Sequence, residues 1–387
     1  MGKVNYLYPP GLLTDMKKII LFIFLISLFH STNAQNIART DTGSVNHAHF
    51  KIFIPQDWKH KLVMFAHGYE FMGTPSAITS PQLDLMAKIF LDKGFAVAAS
   101  AYRYQGFALP QGVDDTETLR QYFDEKYGIP DTTFMTGQSM GGGVTLAIME
   151  NFSKNYQGAL AMCPLSSRPY LQTRKEFDAH VLFDALFPGV ITPLSSIIDF
   201  NSDFKPTGFA EMGAKIETIR KAIARDSVKA AELARQFYLK ISDIPFSLLF
   251  SEGVLRDVVI KSGGNPYDNT NTIYTGFSND WEINKNVKRF EANAGTDNIF
   301  EKYDRSGNIG KPVILMHTIY DQLIPPQFGE VNFENMVQQK GKDYFLTVKI
   351  CNRQGHCNFT PLQIGNTFDE LRNWVKTGKK ANPGLIE

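Results

Sequence analysis

Residues Thr133 to Gly143 read Thr-Phe-Met-Thr-Gly-Gln-Ser-Met-Gly-Gly-Gly, an apolar run closing on Gly-x-Ser-x-Gly, and a helix-forming stretch from Val144 to Phe152 follows. A serine hydroxyl is a weak nucleophile unless it is held proud of its surroundings beside a base. Strand, tight turn and helix in that order present such a serine. Gly137 and Gly141 lack side chains, so the turn can close and the helix can approach the strand. The same chemistry needs a carboxylate and then a histidine later in the chain. Asp321 follows the apolar run Pro312 to Met316, and His356 follows the run Phe345 to Ile350. Asp304 competes for the acid role but precedes its apolar run rather than following it. In these roles Ser139 attacks a carbonyl carbon, and His356 takes the serine proton and returns it to the leaving group. Asp321 orients the imidazole and stabilises its cationic form. The oxyanion that develops needs donors already aimed at it. The backbone N–H groups of Met140 and Tyr69 are the candidates, with His67 and Gly68 shaping the loop that carries Tyr69. His67 is weighed as a second base, and His317 reads as structural.

These residues need a scaffold that brings distant loops together. His49 to Pro55 and Lys61 to Ala66 read as strands. A helix follows with Ser80 as N-cap, Pro81 at its first position and Gly94 beyond its end. Its buried face is expected at Leu85, Met86, Ile89 and Phe90. Phe95 to Ala101 reads as a strand, Asp114 to Tyr127 as a helix, and Ala159 to Met162 as a strand. Phe328 to Gln339 and Asn366 to Lys376 read as helices. Continuous apolar strands alternating with helices indicate a mostly parallel sheet covered on both faces. Between residues 167 and 308 the alternation breaks down, and a stretch that long must be a structured insertion. Ile216, Ile219 and Ile223 recur there at helical spacing, continued by Leu233, Ala234 and Phe237. Phe183, Phe187, Phe246 and Phe250 either build the insertion's own core or line an apolar cleft over the serine.

The 387 residues, 43% hydrophobic and 20% charged, describe a globular chain with a real core. A net charge of +1 leaves no electrostatic footprint for nucleic acid. Lys17-Lys18, the apolar run Ile19 to Phe29 and the small residues before Gln35 form a secretory signal over residues 1–34. Met16 sits where such signals begin, so residues 1–15 read as a mis-assigned upstream start. The apolar run is short for a membrane span, and no span is expected once the signal is removed. His47 and His49 have no third ligand near them in sequence, and there is no His-Glu-x-x-His and no phosphate-binding glycine loop. No metal and no cofactor are expected.

The elbow at Gly137 to Gly141, the loop Asp321-x-x-Ile324-Pro325 and the late Gly355-His356 together resemble the α/β-hydrolase superfamily. The stretch from Gly263-Gly264-Asn265-Pro266-Tyr267 to Gly355-His356-Cys357 is similar to secreted bacterial members. The resemblance implies an α/β-hydrolase core over residues 35–166 and 309–387 and a mainly helical cap over residues 167–308. It implies a serine hydrolase, with carboxylic ester hydrolysis through an acyl-enzyme as the leading reading. The substrate would be a small-molecule or polymer-derived ester. A serine peptidase acting near a peptide terminus, an acyltransferase and a non-catalytic binding protein are the alternatives. Peptide recognition would need acidic groups in the cap, where Glu211, Glu217 and Glu232 read as solvated. In an exported chain Cys351 and Cys357, which flank His356, are expected to form a disulfide, and Cys163 reads as an inert buried residue.

Overall fold

The computed structural model describes residues 37–386; the segment expected to be a secretory signal, residues 1–34, lies outside the described residues. The chain opens with a hairpin, β1 (Ile37–Val45) and β2 (Ala48–Pro55), then β3 (Lys61–Ala66), α1 (Pro81–Leu91) and β4 (Ala96–Ser100). It continues through α2 (Leu109–Tyr127), β5 (Thr132–Gln138), α3 (Met140–Asn151) and β6 (Gly158–Met162). The insertion then contributes α4 (Pro169–Leu186), α5 (Leu194–Ile198), α6 (Phe209–Arg225), α7 (Ser227–Gln236), α8 (Ile244–Ser262) and α9 (Asp280–Asn286). The chain returns as β7 (Val313–Tyr320), α10 (Glu330–Gln339), β8 (Leu346–Gln354), α11 (Pro361–Thr377) and β9 (Gly384–Ile386).

The strands form one nine-stranded sheet in the order β1-β2-β4-β3-β5-β6-β7-β8-β9. The β1–β2 and β2–β4 pairs are antiparallel and the remaining pairs are parallel. Parallel strands need crossovers, and these place helices on both faces. On one face Phe90 of α1 and Phe368 of α11 pack with Phe95 and Phe134. On the other, Val113 and Leu119 of α2 meet Val144 and Ile148 of α3. Each such buried side chain contributes roughly 1.5–3 kcal/mol.

The α1 start is as expected: Ser80 Oγ accepts the Gln82 N–H and Pro81 occupies the first turn. Its buried face is met in part: Phe90 is buried as expected, and Met86 and Ile89 are half-buried against the core. Leu83, Ala87, Phe90 and Leu91 are buried, whereas Leu85 is 66% exposed. Strand β1, polar along most of its length at a sheet edge, and the short β9 were not anticipated from hydrophobic pattern.

Helix α8 forms the axis of the insertion and is buried along most of its length against α4, α5 and α6. Its charged residues are matched inside the protein. Glu252 accepts the Thr207 hydroxyl at 2.7 Å, and Arg256 donates to Asp199 O at 2.6 Å and to Ser202 O. Phe183 and Phe187 lie in the core with ring centroids 5.1 Å apart, while Phe250 of α8 turns toward Tyr69 at 5.4 Å. A few polar contacts tie the insertion to the sheet's loops. Lys261 Nζ donates to Gln105 O at 2.7 Å and Phe107 O at 2.9 Å, Lys175 Nζ to Leu323 O at 2.8 Å, and Ser247 Oγ to Gln322 O at 3.1 Å. Among the described residues no helix is long and apolar enough to cross a membrane.

Candidate active site

Ser139 sits between β5 and α3 with φ 59° and ψ −125°, a conformation that costs a non-glycine residue of order 1–3 kcal/mol and persists only where its surroundings impose it. Its N–H donates to Met162 O at 2.9 Å, and its carbonyl accepts the N–H groups of Gly143 at 3.1 Å and Leu165 at 3.2 Å. The two glycines are required by packing. A Cβ at Gly141 would lie 2.1 Å from Ala66 O, and one at Gly137 would lie 2.3 Å from Gly141 O. Arg305 also holds the elbow: fully buried, it donates to Gly143 O at 2.5 Å and Leu165 O at 3.1 Å. Burial lowers its pKa, opposed by the Glu150 carboxylate nearby. Nothing in the sequence singles Arg305 out, because an Asp-Arg pair normally reads as a solvated loop.

Asp321 follows β7 and His356 follows β8, and the structure brings both to Ser139. Ser139 Oγ lies 2.8 Å from His356 Nε2, and His356 Nδ1 lies 2.7 Å from Asp321 Oδ2. The carboxylate beside Nδ1 fixes the proton there, so Nε2 presents its lone pair to the serine hydroxyl. Asp321 Oδ1 accepts the N–H groups of Leu323 and Ile324, each at 2.9 Å. Burial alone would raise the Asp321 pKa, but His356 and these N–H donors bring it below the ordinary value. The His356 N–H donates to Gln322 Oε1 at 3.0 Å. A serine elbow after the fifth strand thus meets an acid after the seventh and a histidine after the eighth, on a sheet whose second strand is antiparallel to its neighbours.

This is the α/β-hydrolase fold.

Within this fold, Asp304 stands apart from the imidazole: its carboxylate accepts from Arg168 Nε at 2.8 Å and from the Arg305 N–H at 2.8 Å. His67 is buried, its ring stacks on Tyr102 at 4.0 Å, and its Nδ1 lies 2.7 Å from Gly68 O. Burial lowers its pKa. Gly68 passes close to the nucleophile, where a Cβ would lie 3.2 Å from Ser139 Cβ. Met140 is the first residue of α3, so its N–H has no intrahelical acceptor. Neither the Met140 nor the Tyr69 N–H makes a hydrogen bond within the described residues. His317 is fully buried behind Asp321, its Nε2 3.7 Å from Glu330 Oε2, and burial pushes its pKa down to about 4.

The cysteines differ from expectation. Cys163 and Cys357 form the disulfide, with Cα atoms 5.4 Å apart, and Cys351 is free and buried. Cys351 points into the apolar layer beneath α11, and β8 then runs on to Gln354 before turning at Gly355. That turn sets Cys357 against Cys163 at the end of β6. The ligand atoms of Cys163, His356 and Cys357 lie within 4.8 Å of one another, but the two sulfurs are bonded to each other and offer no thiolate to a metal.

Two of the cavities border this group. One, of about 40 Å³, is lined by Ser139, Met140, Tyr69, Leu165, Phe250 and Val254 together with Gln172 and Glu176 of α4. The other, about 450 Å³, is an open cleft lined by Gly68, Gln138, His356 and Cys357 and by residues of α1 and α11.

No family model matches the chain, and no curated protein matches it in sequence. Solved structures do resemble it. An esterase of Pyrococcus furiosus superposes with a TM-score of 0.47 at 13% identity, covering 89% of this chain and 94% of the other. A puromycin-hydrolyzing peptidase of Mycobacterium tuberculosis gives 0.47 at 14% identity, covering 92% of this chain but 42% of the other. An acylaminoacyl peptidase of Pyrococcus horikoshii gives 0.43 at 12%, covering 89% and 42%. Likenesses this distant say nothing of substrate, and the fold rests on the strand order and the placement of the elbow.

Proposed function

We propose that this protein is a secreted serine hydrolase that cleaves carboxylic esters through a Ser139–His356–Asp321 triad. The observation that carries the reading is the continuous hydrogen-bonded chain from Ser139 Oγ through both ring nitrogens of His356 to Asp321. In the first half-reaction His356 Nε2 takes the serine proton as Oγ attacks the ester carbonyl, and the N–H groups of Tyr69 and Met140 receive the oxyanion. The tetrahedral intermediate collapses, the C–O bond to the alcohol breaks, and His356 protonates the departing oxygen. Water then attacks the acyl-enzyme with His356 again as base, which frees the acid and restores Ser139.

The insertion supports esters over peptides bearing a free amino terminus. Glu217 pairs with Arg220 at 2.8 Å on the surface. Glu232 is buried, contrary to the solvated reading, and accepts the Ser278 N–H at 2.9 Å. Glu176, which does line the serine cavity, is already paired with Lys175 Nζ at 2.8 Å. In this reading the insertion is a cap over the serine. Export is proposed from the signal-like segment and is supported by the Cys163–Cys357 disulfide, a bond that persists in oxidising compartments.

The test uses chromogenic esters beside aminoacyl anilides, with mature protein and its Ser139→Ala variant. Ester turnover lowered about 10³-fold or more in Ser139→Ala is expected. Turnover confined to anilides would replace the ester reading with the peptidase one, and ester turnover untouched by Ser139→Ala would reject the triad.

A further inference from the structure

The bond between Cys163 and Cys357 stands beside the group that moves the serine proton. Cys357 directly follows His356, and its Sγ lies 3.5 Å from the same Nε2 that lies 2.8 Å from Ser139 Oγ. While the bond is intact this sulfur carries no proton, so the Nε2 lone pair faces one donor there, the serine hydroxyl. With the bond cut, Cys357 gains an S–H at the same lone pair. A thiol is far more acidic than a serine hydroxyl, and a neighbouring histidine makes it more so. The proton then rests on Nε2 opposite a thiolate, and Asp321, 2.7 Å from Nδ1, stabilises the imidazolium. A protonated Nε2 cannot take the serine proton, and the acyl-enzyme does not form.

The two halves of the bond are unequally reachable. Cys163 is fully buried at the end of β6, whereas Cys357 is partly exposed and lines the open cleft of about 450 Å³. Both hold left-handed backbone, φ 41° and 51°, which a non-glycine residue keeps only where its surroundings impose it. For Cys357 the Cys163 sulfur is one of those surroundings, so cutting the bond also frees the loop that carries His356. Exposed or strained disulfides are the ones that exchange. Cys351 offers no rival thiol: it is buried in the apolar layer, and burial pushes its pKa up to about 11.

We propose that Cys163–Cys357 is a thiol–disulfide exchange site that switches the triad: the dithiol form is inactive, and oxidation after export turns the hydrolase on. The inference rests on the triad and export readings above. A dithiol reductant reverses the switch. Its thiolate attacks Cys357 Sγ, the S–S bond breaks, and the electron pair leaves on the Cys163 sulfur, which takes a proton. The second thiol of the reductant attacks the mixed disulfide and expels Cys357 as a thiolate, with the remaining proton on His356. The reductant ends as a disulfide. In the activating direction a disulfide oxidant accepts the same two electrons and two protons.

The test equilibrates mature protein in mixtures of reduced and oxidised dithiothreitol with EDTA present. It measures 4-nitrophenyl acetate turnover and counts free thiols by alkylation and mass spectrometry. Turnover should fall about tenfold or more in the step that frees Cys163 and Cys357, with circular dichroism unchanged, and should return on reoxidation. Cys163→Ala should be as slow as the reduced parent in every mixture. Cys163→Ala with Cys357→Ala lacks both the bond and the thiol, so it should be faster than Cys163→Ala and indifferent to reductant. Full turnover with both thiols free, a bond that opens only when the fold is lost, activity that does not return on reoxidation, or a double variant no faster than Cys163→Ala would each overturn the proposal. If turnover is indifferent to reduction but vanishes in Ser139→Ala, only the switch fails. If no ester is turned over, or turnover survives Ser139→Ala, the triad reading fails with it.

Discussion

The sheet and the insertion hold their polar groups in different ways. Ser139, Asp321 and His356 stand at the ends of β5, β7 and β8, strands set about 4.8 Å from their neighbours by the hydrogen-bonded ladder. Their partners are largely backbone: Asp321 takes two N–H groups and Ser139 is fixed through its own N–H and carbonyl. The insertion reaches the rest of the chain mainly through side chains, among them Lys175, Ser247, Lys261, Lys302 and Arg305. In the proposed reading the bond-making groups stand on the strand ladder, and the groups that select substrate stand on an insertion held to it mainly by side chains. Substitutions on the sheet side should therefore cost rate, and those in the insertion should cost selectivity and local stability.

The sharpest test of that division is Asp321→Asn. The amide fits the same space but cannot stabilise the imidazolium and favours the wrong tautomer, so kcat should fall about 10⁴-fold. Circular dichroism should show an intact fold. A loss below tenfold would mean that the sheet does not hold the chemistry.

Next in size is the Cys163–Cys357 bond, which ties the His356 loop to the end of β6. Cys163→Ala with Cys357→Ala should destabilise the fold by roughly 2–4 kcal/mol and lower kcat as the loop loosens. Cys163→Ala alone should lower kcat further, because the freed Cys357 thiol, 3.5 Å from His356 Nε2, competes with the serine hydroxyl for the same lone pair. Stopped-flow ester hydrolysis of both variants checks this, and equal rates would remove the competition argument.

How far the sequence could be read follows the same division. The elbow, the acid and the histidine were legible because each sits at a strand end marked by an apolar run, a glycine or a proline. The order of such ends along the chain is a topological signal. What failed depended on three-dimensional facing. The disulfide partner of Cys357 was misread because Cys163 lies 194 residues away and is brought near only by strand order. On α1 only Leu85 was misplaced, because Leu85 and Leu83 look alike in sequence and the packing angle of the helix decides between them. Glu232 was read as solvated, and nothing marked Arg305, because burial of a polar side chain depends on a partner that no local pattern announces.

On the insertion side, Lys261→Met removes the donor to Gln105 O and Phe107 O and leaves the buried Asp257 without its cation. Amide hydrogen exchange should speed up in α8 while β5 to β8 keep their protection, and KM for esters should rise several-fold with a smaller change in kcat. Exchange that quickens equally in both regions would show that the insertion and the sheet open together.

The smallest expected effect is a pH dependence on the sheet side. Glu330, at the start of α10, is buried beside His317, and burial together with Glu334 pushes its pKa up to about 8. The folded state therefore holds this proton more tightly than the unfolded chain, whose carboxyl titrates near 4.5. The stability it contributes is fully present below that pH and is lost as pH rises through about 8. Glu330→Gln cannot ionise, so its Tm relative to the parent should be several degrees more favourable at pH 8.5 than at pH 5. Differential scanning calorimetry at the two pH values checks it. A difference that stays constant would mean that Glu330 is solvated rather than buried beside His317.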